Sequence, residues 1–301
     1  MISIIGLVLV LGAIAGGYFM EHGNFKVLIQ PAEVVIILGA AIGSFVAANP
    51  LSTLIRAAKG LIGVITGGSY GKNVYLETLK MLYELFNSAR KLGVTKLETD
   101  VDQPDKSDVF KKYPKFLKSH HALHFLCDTL RMAVAGGVDP MDIDQVMETD
   151  LDVHHRESNE PVAALTTMSD ALPGLGIVAA VLGVVITMGA LGGPKEEIGH
   201  KVASALVGTF LGILLCYGIF GPLTNALGKQ TDAESNYFGF LRMAVLGYLK
   251  GLPPIMAVEF ARRAIPTQVR PTFQEMEKAC RSTPQPSAGA APASAPSANA
   301  A

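Results

Sequence analysis

Two histidines and an aspartate share one face of a predicted helix and could bind a metal ion. His120, His124 and Asp128 follow one another at steps of four residues, and residues so spaced lie on the same side of a helix. Imidazole and carboxylate groups are common zinc ligands. No glutamate follows His120 as in the H-E-x-x-H pattern of zinc proteases, so solvent-exposed histidines are the simpler interpretation. A metal-dependent membrane enzyme stays a remote alternative, and we expect neither catalysis nor a cofactor.

Small residues and hydroxyls recur at helical spacing on two apolar segments. One segment carries Gly176, Ala180, Gly183 and Thr187, and the other carries Ala205, Thr209, Gly212 and Cys216. Small side chains let helix backbones approach closely inside a membrane. The stripes therefore indicate either ordinary helix packing or a smooth face against which another helix moves.

Each of these segments also has a proline, Pro173 near the start of one and Pro222 near the end of the other. A proline inside a helix leaves the carbonyl one turn earlier without its backbone donor. In lipid such a carbonyl must be satisfied by a neighbour or by water. Two ordinary kinks and a hydrated, mobile site at one membrane depth are both open interpretations.

Four stretches are apolar enough to position these residues in a membrane, because a spanning helix needs about 20 mostly apolar residues. They are approximately Ile2 to Met20, Val34 to Asn49, Ala171 to Leu191 and Val202 to Leu227. None of them contains Asp, Glu, Lys, Arg or His. A proton path through hydrocarbon normally uses such a group, so an ion-transport function would require a partner helix that carries it.

Lysine and arginine are distributed very unequally among the connections. The long loop from residue 50 to residue 170 has 14 of them and the part after residue 228 has 8, whereas Lys26, Lys195 and Lys201 are the only ones in the two short connections. Positive residues favour the cytoplasmic side. We therefore expect a multi-pass protein of the bacterial inner membrane, with both termini and the long loop in the cytoplasm.

The long loop is helical by pattern. Apolar residues recur at steps of three and four before Gly93 and again before Gly136, and Asp139-Pro140 has the form of a helix start. The predicted fold is an all-α membrane protein with four spans and a helical cytoplasmic domain between spans two and three. Its expected parts are residues 1–50 and 171–228 in the membrane, 51–170 and 229–281 as cytoplasmic helical regions, and 282–301 as a disordered Ala/Pro/Ser tail.

Composition supports a membrane protein and excludes some other functions. The chain has 301 residues, of which 50% are hydrophobic and 17% are charged, and its net charge is −1. Soluble proteins have about 25% charged residues. Without a broad positive field, nucleic-acid binding is not expected. The three cysteines form no C-x-x-C pair and are interpreted as reduced thiols.

Several short motifs in this order resemble the MotA family of flagellar stator subunits. They are Gly16-Gly17-Tyr18, Gly71-Lys72, Tyr83-Glu84-Leu85-Phe86, Ala89-Arg90-Lys91 with Glu98, Met168 to Gly176, Gly208-Thr209-Phe210-Leu211-Gly212, and Tyr217-Gly218 before Gly221-Pro222. The resemblance extends to about Arg281, and only the polar tail and the acidic stretch from Asp100 to Asp108 depart from some family members.

The resemblance implies a stator subunit that converts ion flow into torque. Several copies, as a pentamer, would surround a MotB dimer whose membrane aspartate carries the ion, with lipid around the complex. Arg90 and Glu98 match charged residues that engage the rotor protein FliG. The ion pathway and its coupling would use Pro173, Pro222, Thr209, Ala180, Thr187 and Tyr217.

Two questions stay open on sequence grounds. The first is whether the chain is instead an energising subunit of the TolQ and ExbB type, which acts on outer-membrane processes. Such subunits have three spans as a rule, whereas four are predicted here. The coupling ion is expected to be the proton, because the loop motifs are more similar to those of proton-driven members.

Overall fold

The computed structural model describes residues 2–67, 70–189, 192 and 194–281. The described residues are helical and contain no β-strand. They divide into two compact units, the described residues of 1–70 with 149–235 and those of 71–148 with 236–281. The predicted Ala/Pro/Ser tail and the end of the third span at Leu191 lie outside the described residues.

Four helices are long and apolar enough to cross a membrane, and the chain is therefore a multi-pass membrane protein by length and composition. The all-α class and the number of such helices are as predicted. The first unit contains α1 (Ile2–Met20), α2 (Phe25–Leu28), α3 (Pro31–Ala48), α4 (Leu51–Thr66), the later part of α9 (Pro140–Met188), α10 (Lys195–Ile213), a π-helical segment (Leu214–Phe220) and the start of α11 (Gly221–Leu249).

The core of the first unit has two apolar clusters. The first joins α3, α9 and the π-helical segment through Ile37, Ala41, Leu172, Ala179 and Cys216. The second joins α4, α9 and α11 through Ala57, Val64, Leu165, Leu223 and Leu227. Both clusters include residues of α9, so α3, α4, α11 and the π-helical segment all pack against this helix.

The second unit is a helical domain with a core of its own. It contains α5 (Lys72–Leu92), α6 (Val94–Asp102), a 3-10 turn (Phe110–Lys112), α7 (Pro114–Leu117), α8 (His120–Ala135), the start of α9, the rest of α11, α12 (Pro254–Ala264) and α13 (Phe273–Arg281). The apolar positions predicted on α5 and α8 are buried, among them Leu79, Leu82, Phe86, Leu126 and Leu130. Burying such a side chain contributes about 1.5–3 kcal/mol.

Helix ends in the second unit follow the sequence signals. Gly93 and Gly136 end α5 and α8 with φ of 91° and 74°, a region that favours glycine. The Asp139 carboxylate accepts the backbone N–H of Met141 at 2.8 Å, and α9 begins at Pro140 as predicted.

One feature of α9 was not predicted. Span three was expected to begin at Ala171, but α9 is a single helix of 49 residues that runs through both Pro161 and Pro173. The units also divide within α9 and α11, rather than at residues 170 and 228. The division into membrane and cytoplasmic parts stays a prediction.

Candidate functional site

The two small-residue stripes pack directly against each other. A Cβ on Gly176 would lie 2.8 Å from the Gly208 carbonyl oxygen and 3.0 Å from the Gly212 Cα, and one on Gly212 would lie 2.6 Å from the Leu172 carbonyl oxygen. Such distances leave no room for a side chain. The predicted close approach of helices is therefore confirmed where α9 crosses α10.

The contact between α9 and α10 continues beyond this crossing. A Cβ on Gly183 would lie 2.9 Å from the Ala205 Cα, and one on Gly208 would lie 3.1 Å from the Ala180 backbone nitrogen. Ala180 is half-buried and takes part in the contact through its backbone. Two further glycine pairs spaced one turn apart, Gly12 with Gly16 in α1 and Gly39 with Gly43 in α3, have no described atom within 4 Å of their Cβ positions.

The two predicted hydroxyls differ in what they can do. Thr187 is buried, and its hydroxyl donates to the Gly183 carbonyl in its own helix at 2.8 Å. Thr209 is half-buried, and within the described residues its hydroxyl has no hydrogen-bond partner. Thr209 is thus the hydroxyl of this pair that remains available to water or to a partner protein.

The prolines lie at irregular points of their helices. Pro173 is inside α9, so the Ser169 carbonyl loses its donor one turn earlier. Pro222 is the second residue of α11, and only Gly221 separates it from the seven-residue π-helical segment. The Gly221 N–H that ends this segment donates to the Cys216 carbonyl, five residues earlier. Segments of this kind occur frequently at functional sites.

The π-helical segment packs against α9 and α3 at Cys216 and lies beside α1 at Gly218. The Ser169 hydroxyl lies 3.8 Å from the Cys216 sulfur, which is buried. Tyr217 is 72% exposed within the single chain. The segment therefore contacts α9 one turn before Pro173 and ends just before Gly221-Pro222. Tyr217 points away from the packed helices.

Glu33 is a candidate residue that sequence reasoning missed. Span two was expected to start at Val34 and to lack ionisable groups, but α3 starts at Pro31 and includes Glu33 in its first turn. The helix therefore carries one ionisable group directly before the predicted span. Glu33 is 6% exposed, its Oε2 has no hydrogen-bond partner within the described residues, and this oxygen lies 2.7 Å from the Cβ position of Gly208. An unpaired buried carboxylate is costly, which is typical of functional positions.

Arg90 and Glu98 lie in the second unit, near the junction of two helices. Arg90 is in the last turn of α5, Glu98 is in α6, and only Gly93 separates these helices. Both side chains are exposed, and neither forms an ion pair with a described residue. Their charges are therefore available to another protein.

A buried carboxylate of α5, Glu84, is bonded by two residues at the end of the 3-10 turn. Glu84 accepts hydrogen bonds from the Tyr113 hydroxyl at 2.6 Å and from the Lys112 Nζ at 2.8 Å, and its side chain is only 6% exposed. Burial, together with the neighbouring carboxylate, raises the pKa of Tyr113. These contacts hold the 3-10 turn against α5.

The residues considered for a metal site lie on the exposed face of α8. The Asp128 carboxylate accepts a hydrogen bond from Arg131, which also binds Asp102 at 2.9 Å. No group of three His, Cys, Asp or Glu side chains in the described part of the chain is arranged to hold a metal ion. The arrangement gives no support to the enzyme alternative.

Comparison with known proteins covers almost the whole chain. Residues 4–93 match the family described as Motility protein A N-terminal, and residues 118–239 match the MotA/TolQ/ExbB proton channel family. Motility protein A of Escherichia coli is 37% identical over 286 residues, which are 95% of this chain and 97% of that protein. Chemotaxis protein LafT of Vibrio parahaemolyticus is 34% identical over 91% of this chain and 96% of its own length.

Solved structures of MotAB complexes have the same fold. The match to the Campylobacter jejuni (C. jejuni) MotAB structure has a TM-score of 0.73 at 20% identity and covers 88% of this chain and 95% of that one. The match to the Bacillus subtilis stator complex has a TM-score of 0.71 at 24% identity and covers 88% and 96%. Since the sequence relationship to the Escherichia coli protein spans both chains nearly end to end, this chain belongs to the Motility protein A (MotA) family.

Proposed function

We propose that this chain is the stator subunit of a bacterial flagellar motor and that, with a MotB partner, it forms a proton channel that drives rotation. The observation that carries the proposal is the α9–α10 contact, where Thr209 has an available hydroxyl. Residues 171–188 and 202–227 contain no Asp, Glu, Lys, Arg or His. A conducting path along this contact therefore requires a carboxylate from a partner helix.

The solved relatives are complexes of MotA with MotB, which supports MotB as the partner. We propose a pentamer of this chain around a MotB dimer, surrounded by lipid of the inner membrane. Ion passage would be coupled to movement at Pro173 and Pro222, because both interrupt the regular hydrogen bonding of helices in the first unit. Glu33 adds a carboxylate of this chain beside Gly208, next in sequence to Thr209.

The proposed rotor contact is electrostatic and uses Arg90 and Glu98 toward FliG. Exposed charges without ion-pair partners steer association and fix orientation more than they add affinity. The match of residues 4–93 to the Motility protein A N-terminal family favours the flagellar motor over the TolQ and ExbB type of machine. Deleting the gene should abolish swimming while flagella still assemble, and normal swimming would overturn the proposal.

The proposed topology predicts a labelling pattern. A cysteine introduced at Asn24, in the short connection before α3, should react with an impermeant maleimide in intact cells. One introduced at Asp105, in the long loop, should react only after the membrane is opened. The native cysteines Cys127, Cys216 and Cys280 are all buried, so background labelling should be low. Reaction of Asp105→Cys in intact cells would contradict the topology.

The two hydroxyls provide a matched test of the pathway. Thr209→Val keeps the side-chain shape and removes a hydroxyl that is available to water, so torque should fall severalfold at equal stator number. Thr187→Val removes a hydroxyl that is bonded within its own helix and should change torque little. Tethered-cell rotation measures both. Equal losses of torque in the two variants would contradict the assignment of the pathway hydroxyl to Thr209 rather than Thr187, and unchanged torque in Thr209→Val would place its hydroxyl in packing alone.

A further inference from the structure

Pro161 interrupts α9 at a position that the proposed function does not use. It is buried inside this helix, twelve residues before Pro173. Because proline has no backbone N–H, the Glu157 carbonyl loses its usual donor, and an interior proline destabilises a helix. Even so, α9 continues as one helix across this point, so another group must stabilise the break.

Arg56 of α4 supplies a donor at this point. Its Nη1 donates to the Glu157 carbonyl oxygen at 3.2 Å, and its Nη2 donates to Glu160 Oε2 at 2.6 Å. The first contact takes the place of the hydrogen bond that Pro161 cannot make. A guanidinium suits this geometry because its donors are fixed in one plane, whereas a lysine ammonium is a single point charge.

A neighbouring contact fixes the same turn. The Thr53 side chain is fully buried, and its hydroxyl donates to Glu160 Oε1 at 2.7 Å. Glu160 is thus held by two residues of α4, one turn apart. The side chains of this ion pair are 40% and 44% exposed, so the pair by itself would add little stability. Its significance is that it aligns the Arg56 guanidinium with the freed carbonyl.

We propose that Arg56 is a positioning residue that replaces the donor missing at Pro161 and fastens α4 to α9. The same helix α9 then carries Pro173 and the face that packs against α10. Arg56 therefore sets the direction in which α9 continues toward these residues. Any effect of Arg56 on rotation rests on the proposed stator function. The contact of Arg56 with Glu157 and Glu160, which joins α4 to α9, does not depend on that function.

The test is a cycle of substitutions in the full chain expressed with its MotB partner. Hydrogen exchange of the backbone amides of residues 157–166 measures opening of this turn. Arg56→Gln should raise their exchange about tenfold, since a hydrogen bond to a charged group is lost. Arg56→Lys should have an intermediate effect. Lys59→Gln is the matched control, because Lys59 is exposed on the same helix and has no ion pair or hydrogen bond to a described residue.

Pro161→Ala tests most directly whether Arg56 replaces the donor that is missing at Pro161. It restores a backbone N–H for the Glu157 carbonyl, so adding it to Arg56→Gln should return exchange close to the native rate and recover swimming speed. The proposal is overturned if Arg56→Gln behaves like Lys59→Gln, or if Pro161→Ala fails to suppress it. The proposed function is tested separately, by expressing the unmodified chain in bacteria that lack their own stator. If hydrogen exchange changes as expected but these bacteria do not rotate their flagella, the role of Arg56 at Pro161 is supported and the proposed function is wrong.

Discussion

Reversing the two charges proposed to contact the rotor, Arg90→Glu with Glu98→Lys, should abolish swimming while protein level and proton conduction with MotB stay unchanged. Both residues are exposed and make no ion pair within the described residues, so their replacement should not disturb the second unit. Single neutralisations should be mild, because one exposed pair contributes about 0–1 kcal/mol. Rotation of tethered cells and conduction in vesicles measure the two halves of this prediction.

Compensation decides whether the contact is electrostatic. Charge reversals on FliG should restore rotation to a variant with Arg90 or Glu98 reversed. A reversal at the exposed Lys59 of the first unit is the control and should need no compensation. If no change on FliG rescues any reversal at these two positions, they act through the folding of the α5–α6 junction.

The second large effect is expected at the crossing of α9 and α10. Gly176→Ala would place a methyl group 2.8 Å from the Gly208 carbonyl oxygen. The helices would have to separate, and overpacking of this kind costs about 1–3 kcal/mol. We expect a lower unfolding temperature of the purified complex and little or no swimming.

Gly174→Ala is the matched control for this substitution. Gly174 lies on the same helix, is exposed, and has nothing within 4 Å of its Cβ position. An alanine there should be neutral or slightly stabilising, since alanine favours a helix over glycine by about 1 kcal/mol. Equal behaviour of the two alanine variants would show that the close crossing is not required.

Much of the fold could be predicted because its signals are local. The first span was placed at Ile2–Met20, where α1 lies, since an uninterrupted apolar run needs no other information. The start of α9 at Pro140 followed from the preceding Asp139. Gly93 and Gly136 follow the apolar faces of α5 and α8 and mark their ends, because glycine readily adopts the positive φ found there.

The missed features depend on contacts between distant parts of the chain. Glu33 was left out of span two because charged residues were used to bound the span, and its burial depends on Gly208 of α10. The sequence likewise places Thr187 and Thr209 on equivalent stripes, but only the fold shows that the first hydroxyl is bonded within its helix. The continuity of α9 through Pro161 depends on Arg56, more than 100 residues earlier.

The π-helical segment could not be derived from hydropathy, because an apolar run has the same composition in an α-helix and a π-helix. Gly221-Pro222 was a signal of irregularity, and it lies at the end of this segment. These two residues indicated where the helix is irregular, but the sequence did not predict that the irregular part is a π-helix. In the structure, Cys216 of this segment is buried against α9.

The claim that the ion-carrying carboxylate comes from a partner is tested most directly by proton flux into vesicles containing the purified chain. Without MotB we expect almost no flux, since the apolar stretches 171–188 and 202–227 have no Asp, Glu, Lys, Arg or His and Glu33 is a single carboxylate in the first turn of α3. With MotB the flux should rise clearly, and replacing the partner's membrane aspartate by asparagine should return it to the level of the chain alone. Substantial flux through the chain alone would contradict the account.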